Sequence, residues 1–146
     1  MEFELIRTGS TGYMVNLAGR LLVREIDEAL SEHGLSSAHM PVFFALGSGN
    51  AAMTQRDLAR QAQVEQPTMA STLARMERDG LIVRMPNPAD GRSELVSLSE
   101  LGRSKVAALR DCAARVNGRA TAGLSDDERQ ALLGLLARIV DNLTRE

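Results

Sequence analysis

A short segment of the chain carries hydrogen-bonding side chains at helical spacing. Within it Met69, Leu73 and Met76 recur at i, i+4 and i+7, which places them on one face of a helix. The opposite face then presents hydroxyls, amides and a guanidinium. Such groups can bind phosphates and base edges, since arginine pairs with guanine and glutamine with adenine. The predicted contact residues of this segment are Gln66, Pro67, Thr68, Ser71, Thr72 and Arg75.

A second polar group lies in the turn-rich segment NPADGRSELVSLSE, residues 87–100. Its Asn-Pro and Asp-Gly-Arg turns, followed by Leu95 and Leu98 on a return strand, predict a β-hairpin with Arg92 at its tip. We expect Asp90 to hold the Arg92 guanidinium by a charge-assisted hydrogen bond and to aim it outward. An arginine so placed suits the negative potential of a DNA minor groove, and Ser93 belongs to the same predicted contact surface. The alternative is a solvated turn with an incidental ion pair.

The residues around both polar groups predict the helices and strands that position them. Thr54 is predicted to cap a short helix with Asp57 at its third position, and Thr54 is also a candidate DNA contact. Pro67 suits the first position of the next helix, which Gly80 ends. Two helices joined by a tight turn form a helix-turn-helix, whose second member can enter a major groove. Strands over 81–85 and 95–98 complete the predicted hairpin.

Longer amphipathic helices flank this unit. One is predicted from Tyr13 to Leu30, and another follows the cap Ser99 and is interrupted by Gly118 and Gly123. A capping box at Ser125 opens the last helix. Its apolar stripe is broader than a lone terminal helix needs, which indicates that a second copy covers it. The stripe comprises Leu132, Leu133, Leu135, Leu136, Ile139, Val140 and Leu143.

Composition limits the class of protein. The chain has 146 residues, 44% hydrophobic and 25% charged, with a formal net charge of −2. These values fit one globular domain or two closely integrated subdomains. We expect a cytoplasmic protein without membrane association, because the longest apolar runs are far shorter than a bilayer span and the N-terminus does not resemble a secretion signal. Charge is uneven, since residues 54–105 are the least acidic part.

The segment TQRDLARQAQVEQPTMASTLARMERDGLIVRMPNPADGRSELVSLSELG resembles the MarR family of bacterial transcription regulators. Its most specific part is the wing, the hairpin that follows the helix-turn-helix. The family's Asp-x-Arg pattern, leucine-rich return strand and Ser/Thr-x-x-Gly helix start match Asp90, Arg92, Leu95, Leu98, Ser99 and Gly102. The family often has serine or threonine before the helix proline, where this chain has Gln66. The order of the flanking helices matches as well.

The resemblance implies a mainly α fold, a winged helix-turn-helix with long flanking dimerisation helices. Residues 1–35 and 100–146 would form the dimerisation region and residues 36–99 the DNA-binding region. A homodimer would bind near-palindromic double-stranded operator DNA as a repressor, and a small aromatic or anionic effector would release it. The implied effector pocket lies between the two regions, with candidates Asn16, Arg20, His39, Phe43 and Phe44. No cofactor is expected.

Other classes of function fit the residues less well. A Gly-x-Ser-x-Gly elbow and a phosphate-loop lysine are both missing, and His33 and His39 are poorly spaced for a metal, so we expect no enzyme and no metal site. A thiol-based redox regulator using Cys112 is one alternative, although the redox-sensing relatives carry their cysteine near the N-terminus. A winged-helix module for protein contacts is another, and Arg75 together with Arg92 speaks against it.

Overall fold

The computed structural model describes residues 2–49 and 51–144, so Met1, Asn50, Arg145 and Glu146 lie outside it. The fold is mainly helical with one small antiparallel sheet, as the sequence predicts. Its elements in chain order are α1 (Glu2–Gly9), α2 (Thr11–Ser31), a 3-10 turn (Ser37–His39), α3 (Met40–Leu46), β1 (Met53–Thr54), α4 (Gln55–Ala62), α5 (Gln66–Arg78), β2 (Ile82–Pro86), β3 (Glu94–Leu98), α6 (Glu100–Ala120) and α7 (Asp126–Thr144).

The sheet contains one strand more than the sequence indicates. The predicted hairpin is confirmed as β2 and β3, which pair from Ile82 with Leu98 to Pro86 with Glu94. The additional strand is β1, two residues long, which pairs with β3 on the other side and gives the order β1-β3-β2. β2 is therefore an edge strand, where a proline is tolerated because its missing amide hydrogen needs no partner.

Local capping signals define most helix starts. The Thr54 hydroxyl accepts a hydrogen bond from the Asp57 amide at 3.1 Å, as predicted. The capping box at the start of α7 is also present, because Ser125 Oγ accepts from the Glu128 amide and Glu128 Oε1 from the Ser125 amide. The predicted interruption at Gly118 is wrong. This glycine lies inside α6, which the structure continues to Ala120.

The core joins the helix-turn-helix to the adjoining halves of α2 and α6. α2 buries Ile26 and Leu30 in it, both from its C-terminal half, and α6 buries Leu109 and Cys112. The buried apolar side chains are those of Ile26, Leu30, Leu35, Val42, Phe43, Leu46, Leu58, Ala59, Met69, Leu73, Met76, Leu81, Ile82, Val96, Leu98, Leu109 and Cys112. One continuous core therefore supports the wing and α5 together.

A close backbone approach attaches α6 to the sheet. Ser99 caps α6 by accepting the Gly102 amide, while its own hydroxyl donates to the Gly80 carbonyl at 2.6 Å. The Ser99 amide also donates to the Leu81 carbonyl. A Cβ at Gly102 would overlap with that carbonyl oxygen, so the glycine of the Ser-x-x-Gly start is required by space.

α7 shows a different pattern, since none of its residues is buried. Its apolar stripe is largely open to solvent, with Leu133 61%, Leu135 56% and Leu143 81% exposed. The N-terminal half of α2 is similar, with Tyr13, Met14 and Val15 exposed. Both helices therefore carry exposed apolar side chains in the single chain. None of the described helices combines the length and hydropathy needed to cross a lipid bilayer.

Candidate nucleic-acid interface

α5 separates its apolar and polar residues as the spacing predicts. Met69, Leu73 and Met76 are buried, which fixes the orientation of the helix. The other side faces solvent. Its exposed candidates are Gln66, Pro67, Thr68, Ser71 and Arg75, and Thr72 beside them is half-buried. Five of the six predicted contact residues of this helix are thus accessible to solvent, and their amide, hydroxyls and guanidinium can bind bases and phosphates.

The first turn of α5 differs slightly from the prediction. Glu65 is the N-cap, Gln66 the first helical residue and Pro67 the second. The Glu65 side chain makes no capping hydrogen bond, and its carbonyl instead receives the Met69 amide at 3.0 Å. The amides of this first turn therefore have no capping side chain. Helix N-termini of this kind favour negative groups such as phosphate.

The turn before α5 is set by a left-handed residue. Gln63 has φ 54 and ψ 44, a conformation that non-glycine residues seldom adopt. Its backbone amide donates to the Arg60 carbonyl, and its side-chain Nε2 donates to the same oxygen at 2.9 Å. The Val64 amide donates to Ala59. These bonds fix the angle between α4 and α5.

Two residues that the sequence prediction missed support the polar face of α5. The Gln55 side-chain Nε2 donates to Gln66 Oε1 at 3.3 Å, which joins the first residues of α4 and α5. The Arg84 Nε lies 3.4 Å from Glu77 Oε2, and Arg84 is mostly buried with its side chain 21% exposed. This ion pair joins β2 of the wing to α5. The ion pair therefore adds a side-chain contact between α5 and the wing.

The wing loop is closed by hydrogen bonds between its two ends. The Asn87 amide donates to the Ser93 carbonyl at 3.2 Å, and the Asn87 side-chain nitrogen donates to Ser93 Oγ at 3.0 Å. Asn87 Oδ1 also accepts the Ala89 amide. Ser93 is half-buried, and its hydroxyl further donates to the Asp90 carbonyl, so this predicted DNA contact also has a structural role.

Asp90 and Arg92 interact differently from the prediction. Asp90 Oδ1 accepts a hydrogen bond from the backbone amide of Arg92, at 3.0 Å, rather than from its guanidinium. The physical reason is local, because an aspartate readily accepts the amide two residues later and so forms an Asx turn. Both side chains are exposed. The carboxylate therefore shapes the loop backbone, and the guanidinium extends from a defined position.

The predicted effector candidates fall into separate places. Phe43 is buried in the core, while Phe44 is 62% exposed. Both line a small cavity of about 80 Å³ between α3 and α6, together with Gly47, Ser48, Val106, Leu109 and Arg110. Asn16 and Arg20 are exposed on the N-terminal half of α2 and do not line it.

His39 is a buried structural residue of the turn before α3. Its Nδ1 accepts the Ser36 backbone amide at 2.8 Å, which requires an unprotonated Nδ1. Burial lowers the pKa of His39 below its ordinary value of 6.5, and Arg75 on α5 adds to this effect, whereas Asp79 and Asp27 oppose it. Protonation of Nδ1 would break the bond to Ser36.

Cys112 is buried on α6, facing α2. Its thiol donates to the Ala29 carbonyl at 3.6 Å, and Arg115 Nη2 lies 3.5 Å from the sulfur. The cysteine also contributes to an open cleft of about 580 Å³, lined further by His33, Ala108, Asp111, Ala114 and Arg115. Among the described residues, His, Cys, Asp and Glu form no group of three or more that could hold a metal ion.

Comparison with known proteins connects this architecture to transcription regulators. A sequence profile described as MarR family matches residues 33–93, which include both helices of the helix-turn-helix and the wing loop. The transcriptional activatory protein BadR of Rhodopseudomonas palustris is 31% identical over 120 residues, which are 80% of this chain and 69% of BadR. The chain spans 56% of the length of two other curated regulators that it matches.

Two solved structures share the fold over most of their length. The transcriptional repressor CouR, bound to a 23-mer DNA duplex, is 27% identical with a TM-score of 0.83, over 92% of this chain and 95% of CouR. BpsR of Bordetella bronchiseptica is 25% identical with a TM-score of 0.82, over 90% of this chain and 94% of BpsR. The BpsR structure concerns the regulation of its DNA binding by 6-hydroxynicotinic acid.

Proposed function

Because the chain belongs to the MarR family of transcription regulators, we propose that it binds double-stranded operator DNA through α5 and the wing. The observation that carries the proposal is the pair of exposed, rigidly joined elements: α5 with its polar outer face, and the wing with Arg92. A buried core behind α5 and the Arg84–Glu77 ion pair fix their relative position. The likeness to CouR on DNA supports this use of the fold.

Each element has its own chemistry in this proposal. α5 enters the major groove, where Arg75 pairs with guanine or a phosphate, and Thr68, Ser71 and Thr72 donate to bases or backbone. Thr54 at the start of α4 contacts a phosphate. The wing follows the minor groove, where the Arg92 guanidinium replaces counterions and Ser93 holds the loop in shape.

The proposed active form is a homodimer. The unburied stripe of α7 and the exposed N-terminal half of α2 supply apolar surface that a second copy can remove from water. A two-fold dimer places two recognition helices about one turn of DNA apart, so the operator is a near-palindrome. Residues 1–35 and 100–146 form the dimerisation region in this proposal.

Regulation by a small molecule is the third part of the proposal. The cavity beside Phe43 and Phe44 lies between α3 of the DNA-binding region and α6 of the dimerisation region. An aromatic or anionic molecule that enlarges this cavity, with Arg110 beside it, would favour one arrangement of the two regions. The protein is then a cytoplasmic repressor released by its effector. A reporter assay tests the sign of control, since CouR is a repressor and BadR an activator.

The test is a selection of duplexes from a library with a randomised centre, followed by gel-shift of the enriched sequence. The unmodified 146-residue chain should enrich a near-palindrome and retard it in competition with unrelated DNA. The double variant Arg75→Ala, Arg92→Ala should fold and fail to retard it, while Arg138→Ala on α7 is a control for the loss of an arginine outside α5 and the wing. No enrichment by the unmodified protein would contradict DNA recognition.

A further inference from the structure

The two helices of the helix-turn-helix touch through the side chains of their first residues. Gln55 begins α4 and Gln66 begins α5, and their separation along the chain is 11 residues. Gln55 Nε2 donates to Gln66 Oε1 at 3.3 Å. Gln66 is exposed, and the contact lies at the protein surface, so core packing does not account for it.

The hydrogen bond from Gln55 affects which groups of the Gln66 amide face solvent. A glutamine amide has an oxygen with two acceptor positions and a nitrogen with two donor hydrogens. Gln55 occupies one acceptor position of Oε1. If the Gln66 amide alone turned over, its Nε2 would face the Nε2 of Gln55 and the bond would be lost, so the two amides take up their orientations as a pair. The second acceptor position and the Nε2 donors remain available to a partner outside the protein.

Adenine is the base whose major-groove edge matches these remaining groups. It presents the N6 amino donor beside the N7 acceptor, and a glutamine amide pairs with both at once. A turned-over amide would oppose donor to donor and acceptor to acceptor. We infer that Gln55 is a positioning residue that orients Gln66 to read adenine at one position of each half-site. This inference rests on the proposed entry of α5 into the major groove.

A series of variants of the 146-residue chain tests the inference. The probes are the duplex enriched from the randomised library and its derivatives with each of the four bases at every half-site position, measured by fluorescence anisotropy. The unmodified protein should prefer adenine at one position, and Gln66→Ala should abolish that preference. Gln55→Ala should reduce it about fivefold or more, since the amide then turns freely.

Two further variants separate positioning from direct contact. In the Gln66→Ala background, Gln55→Ala should have no additional effect on base preference, because the residues act as one unit. Gln55→Glu supplies a carboxylate that only accepts, so it should bind Gln66 Nε2, turn the amide over and remove the adenine preference. Melting temperatures of all variants verify that the fold is retained.

The outcomes distinguish this inference from the proposed function. If the unmodified protein enriches no sequence, both are wrong. If it enriches an operator but Gln55→Ala lowers affinity for all bases equally, Gln55 contacts a phosphate and the inference alone is overturned. An adenine preference that survives Gln66→Ala, or additive effects of the two alanine substitutions, overturns it as well.

Discussion

Asp90 Oδ1 accepts the backbone amide of Arg92 at 3.0 Å, so the carboxylate orders the wing loop two residues before the exposed guanidinium. The two residues therefore have different roles. Asp90 orders the loop backbone, and the exposed Arg92 guanidinium is free to contact DNA. Substitutions at the two positions should therefore have different signatures in DNA binding.

Replacing Arg92 by alanine should weaken operator binding by at least about 1 kcal/mol and reduce the salt dependence by about one released counterion. The fold should be unchanged, because the side chain is exposed. Arg92→Lys is the matched control, since it keeps the charge and should keep the salt slope. Gel-shift titrations at several salt concentrations give both quantities. Equal affinity and slope for the alanine variant would refute a wing contact.

Asp90→Ala should bind operator about 1 kcal/mol more weakly than Asp90→Asn. Both variants remove the charge, but asparagine keeps an oxygen that accepts the Arg92 amide. The comparison therefore isolates the ordering of the loop from electrostatics, and both variants should retain the salt slope of the unmodified wing to within one counterion. Indistinguishable affinities of the two variants would show that the Asx turn has no part in binding.

Gly102→Ala should destabilise the protein by about 1–3 kcal/mol, because its Cβ would overlap with the rigid Leu81 carbonyl. Gly118→Ala in the same helix is the matched control. No atom lies within 4 Å of a Cβ built there, so alanine should stabilise α6 by about 0.5 kcal/mol. Urea unfolding of both variants measures the free energies. An unchanged free energy of unfolding for Gly102→Ala would mean that the sheet and α6 can move apart at little cost.

His39 should make stability depend on pH in the mildly acidic range. Its pKa is lowered in the folded protein, chiefly by burial, so the unfolded chain binds the proton more readily. The contribution is fully present above pH 6.5 and is lost as the pH falls through the lowered folded pKa. His39→Asn keeps an acceptor for the Ser36 amide without titrating there. The difference in unfolding free energy between the two proteins should shift in favour of the variant on acidification, and a constant difference would exclude this role.

Leu132→Asp combined with Leu143→Asp should dissociate the proposed dimer. Both leucines lie on the stripe of α7 and are exposed in the single chain, 39% and 81%, so its own core should survive. Operator affinity should fall about a hundredfold with the loss of the linked half-site. Ala137→Asp, off the stripe, is the control. Sedimentation and gel-shift measure the two effects. An unmodified protein that is monomeric at micromolar concentration and still binds tightly would contradict the dimer.

The sequence predicts most of what depends on neighbours along the chain. The caps at Thr54, Ser99 and Ser125 follow from hydroxyls three residues before their amide donors, and the two faces of α5 follow from helical spacing. The Asx turn at Asp90 is local too, so the pattern could have revealed it. The prediction paired the Asp90 carboxylate with the Arg92 guanidinium because both are charged. The backbone amide of Arg92 is nearer along the chain, and it is the donor that the structure shows.

The spacing of residues along the sequence does not predict contacts between segments that are distant in the chain. β1 has only two residues, and it becomes a strand because Met53 lies opposite Val96 in the folded chain. The Gln55–Gln66 and Arg84–Glu77 contacts likewise join elements whose relative position is set by the core. The α1 helix was also not predicted. Separation of the effector candidates has the same origin, since exposed positions on α2 carry no signal of their distance from Phe43.

The free edge of β2 has a consequence for protein solubility. An unpaired strand edge can recruit the same strand of another molecule, which is a first step towards aggregation, and Val83 and Met85 on this strand are exposed apolar residues. The edge is only five residues long and ends at Pro86, which offers no amide hydrogen to an incoming strand. Glu94 opposite the proline adds a charge at the same end. The hairpin can thus be exposed to solvent without its edge strand pairing with the same strand of other molecules.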